Sequence, residues 1–358
     1  MIMDNIKKLQ AELPADSCAV ITSDVNRRYF TGMKSSAGTA VIFPDAAYLL
    51  IDFRYFEKAE ETVKGCTVIL DKNHWEQLNE LIKKHNAERI WVESETLTLE
   101  AYKKFKKNIT GAVKFNISDD LSRCINKIRR IKTADELAKM QRAQEIADNA
   151  YKFVLENFVE DGVTEGELAR ALDFHMLSRG AEAVSFDTIV LSGANTSLPH
   201  GVPTEKRVER GEFVLMDFGA VYEGYHSDMT RTFCFGEPTD EMKRVYDIVL
   251  EAQLRCLELA KAGVSCKELD ACARDFITAK GYGENFGHGL GHSVGMEIHE
   301  SPAANTRDET ILEENMIMTI EPGIYLPKKF GVRIEDCIAV KENGYINFAA
   351  SPKNLMVL

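Results

Sequence analysis

Four acidic residues stand inside stretches that otherwise read as buried β-strand. Asp217 lies in Val214-Leu-Met-Asp-Phe-Gly219, and Asp228 lies in His226-Ser-Asp-Met-Thr-Arg-Thr232. Glu321 lies in Ile317-Met-Thr-Ile-Glu-Pro-Gly323, and Glu335 lies in Gly331-Val-Arg-Ile-Glu-Asp-Cys-Ile338. The chain has 56 Asp and Glu residues, so most of them belong on the surface. These four do not, because burying a strand buries its charge, and a buried carboxylate is costly unless it is paired or bound to a cation. Side-chain alternation puts Phe213, Leu215 and Asp217 on one face, and Arg333 with Glu335 on one face of a strand read as continuous. Asp217 and Asp228 are eleven positions apart, which leaves room for two short strand ends and a turn. A hairpin there brings the two carboxylates close.

Histidines sharpen the pattern. Of eight in the chain, three fall in Gly287-His-Gly-Leu-Gly-His-Ser-Val-Gly-Met-Glu-Ile-His-Glu300. His288 and His292 have the spacing of a helical zinc protease, but Gly287, Gly289 and Gly291 oppose a helix, and a glycine stands where that motif needs its glutamate. A Gly-rich, His-rich run instead fits backbone packed tightly around a site, with imidazoles aimed inward. His299 follows in a β-compatible run, and His200 sits in the turn-like Leu198-Pro-His-Gly-Val-Pro203, where binding residues are often found. One imidazole with the four carboxylates is a hard, oxygen-rich donor set suited to Mn²⁺, Fe²⁺ or Co²⁺ rather than a structural zinc. Four carboxylates cannot all stay ionised in one pocket without cations. Two divalent ions balance them, and such a pair activates a shared water for hydrolysis.

The remaining sequence frames that site. Residues 1–130 alternate strand and helix signals: Ala19-Val-Ile, Thr39 to Phe43, Ala47 to Asp52, Thr67 to Leu70 and Arg89 to Glu93 as strands, with helices over Arg54 to Val63 and His74 to His85. A boundary near Arg129–Thr133 separates this α/β domain from a second domain over 131–358. Thr133/Glu136, Thr164/Glu167 and Ser265/Glu268 are capping boxes that mark three helix starts in the second part. Helices are expected to about Val159 and over Thr239 to Lys261, strands over Glu212 to Phe218 and Tyr225 to Phe235, and further strands from Met316 to Val340 broken at Pro322-Gly323 and Pro327. The net charge of -12 argues against a nucleic-acid footprint and gives no reason to expect anionic membranes as partners. Eight irregularly spaced cysteines without a CxxC, and no apolar leader, point to reduced thiols in a cytoplasmic protein.

In order along the chain, Leu-Pro-His200-Gly, Met-Asp217-Phe-Gly-Ala, Ser-Asp228-Met-Thr-Arg-Thr, His288-Gly-Leu-Gly-His292 through His299-Glu, Thr-Ile-Glu321-Pro-Gly-Ile-Tyr and Val-Arg333-Ile-Glu335-Asp resemble the motifs of the pita-bread metallopeptidases. The likeness is to their proline-specific branch of Xaa-Pro aminopeptidases and prolidases. It implies an α+β protein: a creatinase-like α/β domain followed by a pita-bread catalytic domain. It also implies two divalent metal ions per subunit, Mn²⁺ foremost and Co²⁺ or Zn²⁺ as alternatives. Asp217 would chelate one ion, Asp228 and Glu335 would bridge both, and His292 and Glu321 would hold the other. Glu321 would also take the proton of the attacking water. His200 and His299 would bind the substrate around the scissile bond, His288 would line the proline-side pocket, and Arg333 would orient the carboxylates. The implied activity is that of an Xaa-Pro aminopeptidase acting on peptides with proline second, with an Xaa-Pro dipeptidase as the alternative and a non-catalytic binding protein of the same fold as a remote one. A homodimer is implied by the same resemblance.

Overall fold

The computed structural model describes residues 2–358, which divide after Arg129 into two units. In the first, the β-branched and aromatic runs become β1 (Ser17–Ile21), β2 (Thr39–Ile42), β3 (Ala47–Ile51), β4 (Thr67–Leu70), β5 (Arg89–Val92) and β6 (Lys114–Asn116). They form one sheet in the order β4-β3-β2-β1-β5-β6. β1, β2 and β3 are antiparallel, the last two joined by a tight turn, whereas β4, β5 and β6 each follow a helix and join in parallel. That is the connection parallel pairing requires. The helices Phe53–Thr62 and His74–Lys84 match the sequence expectation within a residue. The short helices Asp24–Thr31 and Leu99–Asn108 were not foreseen, although Ser23 and Thr98 cap them through side-chain bonds to Asn26 N and Ala101 N.

The second unit is organised by its helix starts. All three capping boxes close in both directions, opening the helices Ala134–Asn157, Glu165–Ser178 and Cys266–Ala279. A fourth helix, Asp240–Leu259, is capped by Thr239. The strands between and after them are β7 (Ala183–Val184), β8 (Ile189–Ser192), β9 (Glu212–Phe218), β10 (Ala220–Tyr222), β11 (Tyr225–His226), β12 (Met229–Phe235), β13 (Gly291–Ser293), β14 (Glu300–Ala304), β15 (Ile317–Ile320), β16 (Gly323–Leu326), β17 (Phe330–Arg333), β18 (Asp336–Lys341) and β19 (Gly344–Asn347). The first helix pair packs on Val214, Met216 and Phe218 of β9 with Phe233 of β12. The second pair packs on Met318, Ile320, Val332 and Ile338, and Phe213 joins that second core from the other face of β9. The period of two along β9 is therefore real, and Asp217 shares the face opposite the first helix pair.

Two strands that read as continuous are interrupted. The expected Tyr225–Phe235 strand breaks at Ser227-Asp228, and the expected run through Gly331–Ile338 breaks at Ile334-Glu335. At both places the chain changes sheets: β11 pairs with β10, but β12 pairs with β9, and β17 pairs with β16, but β18 pairs with β15. Gly219 makes the first change possible, because a Cβ there would lie 2.0 Å from Ser227 O. All eight cysteines are free thiols. No helix among the described residues is long and apolar enough to cross a membrane.

Candidate metal centre and active site

The four strand carboxylates sit at, or within two residues of, points where the chain passes from one sheet to another. Asp217 precedes the step at Gly219, Asp228 lies in the break before β12, Glu321 lies between β15 and β16, and Glu335 lies between β17 and β18. One oxygen each from Asp217, Asp228 and Glu335 lies within 4.8 Å of the others. The His292 Nε2 atom lies 3.6 Å from Asp228 Oδ2 and 3.4 Å from Glu321 Oε1. The sequence-expected set thus converges on one cavity of about 700 Å³, whose wall also carries His200, His288, His299 and Arg333.

Each member is held by partners that fix its chemical form. His292 Nδ1 faces the Ser293 carbonyl at 3.1 Å; because a carbonyl only accepts, this nitrogen carries the proton, and Nε2 presents its lone pair to the carboxylates. Burial lowers the His292 pKa and favours that neutral form. Thr319 Oγ1 accepts from the His292 backbone N–H and donates to Glu321 Oε1, which ties the His292 backbone and the Glu321 side chain to one strand. Thr230 Oγ1 donates to Glu335 Oε2 and accepts from Arg333 Nε. Arg333 also donates to Asp217 Oδ2, to the Tyr325 hydroxyl and to Pro199 O, so it braces a carboxylate and the loop that carries His200.

His288 has its ring nitrogens committed. Nδ1 donates to Gly289 O at 2.7 Å, and Nε2 accepts from the Tyr325 hydroxyl at 2.9 Å. The substrate-binding role expected for it is left to the ring rather than to its nitrogens. His200 and His299 are exposed on the cavity wall, and the His299 ring meets His292 edge-on with centroids 4.4 Å apart.

The electrostatics are those of a cation site. Burial first, then the neighbouring carboxylates Asp217 and Glu321, raises the Asp228 carboxyl well above its ordinary range. Glu335 is raised by burial and then by Asp228, Glu321 and Asp217, and Glu321 is raised by burial. Asp217 Oδ1 and Glu335 Oε1 are buried with no hydrogen-bond partner. An acceptor left bare inside a protein is uncommon, and here two of them belong to carboxylates that cluster with Asp228. Clustered anions with bare oxygens, beside an imidazole whose lone pair is free, fit divalent cations.

Sequence reasoning missed the supports. Thr230, Thr319 and Tyr325 lie inside the quoted motifs, but threonine and tyrosine are ordinary strand residues and carry no signal of their own. Buried Glu165 accepts from Ser192 N, Asn195 Nδ2 and Thr204 N, and so secures the segment that bears His200. Asp270 accepts from Leu290 N and pairs with Arg274, which donates to the Phe286 and His288 carbonyls. This clamp holds the glycine-rich run in its irregular path. Gly291 is required there, since a Cβ would lie 2.0 Å from Thr319 O.

Residues 138–342 match the model of metallopeptidase family M24, and residues 5–131 match that of the Creatinase/Prolidase N-terminal domain. The chain belongs to metallopeptidase family M24. It is 41% identical over 337 residues to an Xaa-Pro dipeptidase of Pyrococcus furiosus, covering 94% of each chain. Among solved structures, an Xaa-Pro dipeptidase from Bacillus anthracis superimposes with a TM-score of 0.95 at 41% identity, covering 100% of both chains. An X-Pro aminopeptidase from Thermotoga maritima does so with a TM-score of 0.91 at 38% identity, covering 98% of this chain and 99% of that one. These likenesses establish the expected α+β class, with a creatinase/prolidase N-terminal domain ahead of a pita-bread catalytic domain. As a member of this family the protein is a metal-dependent peptidase.

Proposed function

We propose that this M24 peptidase is an exopeptidase that hydrolyses the bond between an N-terminal residue and proline, and that Xaa-Pro dipeptides are its principal substrates. One observation carries the reading: three carboxylates converge within 4.8 Å, two of them with bare buried oxygens, in the wall of a single cavity. Proline enters through the relatives, since the P. furiosus and B. anthracis proteins are named Xaa-Pro dipeptidases. The sequence reading put the aminopeptidase first; these names favour the dipeptidase, while the T. maritima neighbour keeps the aminopeptidase as a second reading.

In this proposal Asp217 would chelate one cation, Asp228 and Glu335 would be shared, and His292 with Glu321 would hold the other. Bound there, divalent cations supply Lewis acidity and lower the pKa of water. The donors are mainly carboxylates, which favours Mn²⁺, with Co²⁺ or Zn²⁺ as substitutes. Glu321 takes the proton released when water attacks, and its raised pKa suits a group that must both accept and return a proton. Arg333 pairs with Asp217 and keeps its carboxylate aimed at the site. His200 and His299, on the open wall, contact the peptide around the scissile bond. A cytoplasmic homodimer completes the proposal.

The test is a panel of Xaa-Pro, Xaa-Pro-Yaa and Xaa-Ala peptides with chelated protein reloaded with Mn²⁺, Co²⁺ or Zn²⁺. Metal-dependent cleavage of Xaa-Pro above Xaa-Pro-Yaa, with Xaa-Ala resistant, is expected. Full activity after metal removal, or equal cleavage of Xaa-Ala, sinks the proposal.

A further inference from the structure

The second helix pair of the catalytic unit carries two sulfurs that the cavity does not use. The helices Asp240–Leu259 and Cys266–Ala279 pack through small side chains, with Ala252 and Cys256 sharing one core with Leu269 and Ala273. Small residues at a contact let two helices approach closely. Cys256 is fully buried and its thiol spans that approach: Sγ donates to the Leu269 carbonyl at 3.7 Å, one turn before Cys272. Cys272 packs against the same core but is only partly buried. The two thiols hydrogen-bond to each other, which is the juxtaposition that a disulfide requires.

Their surroundings give the sulfurs different roles. Arg255 lays its guanidinium over the Phe276 ring, 4.3 Å from the centroid and one turn beyond Cys272. The hydrogen bond with Cys256 lowers the Cys272 thiol to about 7; the Arg255 charge helps, while burial, Asp275 and Glu258 pull the other way. The same hydrogen bond, together with burial, raises Cys256. The thiolate is the nucleophile, so the sulfur that solvent reaches is the one that reacts first.

We propose that Cys256 and Cys272 are a modification site, a dithiol that hydrogen peroxide converts reversibly into a disulfide between the two helices. The Cys272 thiolate attacks one peroxide oxygen; the S–O bond forms, the O–O bond breaks, and the departing hydroxide takes up the proton that Cys272 released. Cys256 then attacks Cys272 Sγ; the S–S bond forms, the S–O bond breaks, and the Cys256 proton leaves with the hydroxyl as water. Two thiols lose two electrons, and one peroxide is reduced to two waters. The helix that bears Cys272 also bears Asp270 and Arg274, the clamp on the glycine-rich run. Oxidation therefore staples that clamp to the neighbouring helix.

The test treats the full chain, reduced and held in chelator, with stoichiometric hydrogen peroxide. Two of the eight thiols are expected to be lost, with the Cys256 and Cys272 peptides joined in a non-reducing tryptic map and released by dithiothreitol. In Cys256→Ala the bridge cannot close, and dimedone should trap Cys272 as its sulfenic acid. Cys272→Ser should keep its remaining thiols under the same treatment. Both replacements are small, and circular dichroism checks that the variants fold. The bridge should raise the melting temperature of wild type by roughly 5 °C or more, with no rise in treated Cys272→Ser. Retention of all eight thiols, a bridge to any other cysteine, or a sulfenic acid that persists in wild type overturns the assignment. A bridge that forms without raising the melting temperature overturns the staple.

Discussion

Asp228 and Glu335 are the residues at which burial and like charge act together. In an unfolded chain their carboxyls release protons near pH 4. Folded without cations, they hold those protons to higher pH. Their contribution to the metal-free fold is therefore fully present below about pH 4 and is lost as pH rises through the raised folded values. In chelator, the melting temperature of wild type relative to the Asp228→Asn, Glu335→Gln double variant should fall steadily from about pH 5 to about pH 8. A difference that stays flat with pH contradicts this. With metal restored, Asp228→Asn alone should cut kcat on Xaa-Pro by about a hundredfold or more. The carboxylates were legible in the sequence because charge in an apolar strand demands an explanation. Thr230 and Tyr325 were not, since their role depends on partners 105 and 37 positions away.

Among the elements, the capping boxes were readable because each is a local exchange of two hydrogen bonds, complete within four residues. The breaks at Ser227-Asp228 and Ile334-Glu335 were not. Hydrophobic alternation runs through them, and only pairing with distant strands shows that the chain has changed sheets. Next to the second break, Asp336 locks β18 to its neighbours. It accepts from Arg231, Gln253, Asn347 and Lys353 at 2.7–3.0 Å. Burial alone would raise this carboxyl, but Arg231 and Lys353 hold it below the ordinary range. Asp336→Asn leaves Arg231 buried without its counter-charge, and should cost about 3–5 kcal/mol in urea unfolding near pH 7. Because the folded pKa is depressed, the deficit should be full above about pH 4 and narrow as pH falls through the folded value. A loss under about 1 kcal/mol would show that the hydrogen bonds, not the charge, do the holding.

For the molecule as a whole, cation binding adds to the stability of the fold that provides the ligands. At a free metal concentration of about 100 Kd the gain is about 2.7 kcal/mol per site. For a unit of this size that corresponds to a rise of roughly 5–10 °C in melting temperature. Far-UV circular dichroism is the appropriate probe, because both tryptophans, Trp75 and Trp91, lie in the first unit. A melting curve indifferent to Mn²⁺ and chelator would remove the site from consideration as a metal centre. The five proposed ligands are divided: Asp217 and Asp228 lie in or beside the strands backed by the first helix pair, while His292, Glu321 and Glu335 lie in or beside the later strands. A slip of one residue in either set turns its carboxylates to the opposite face. The centre is thus a checksum on assembly: it can be filled only when both halves have docked in register, so metal occupancy certifies the whole catalytic unit rather than one loop of it.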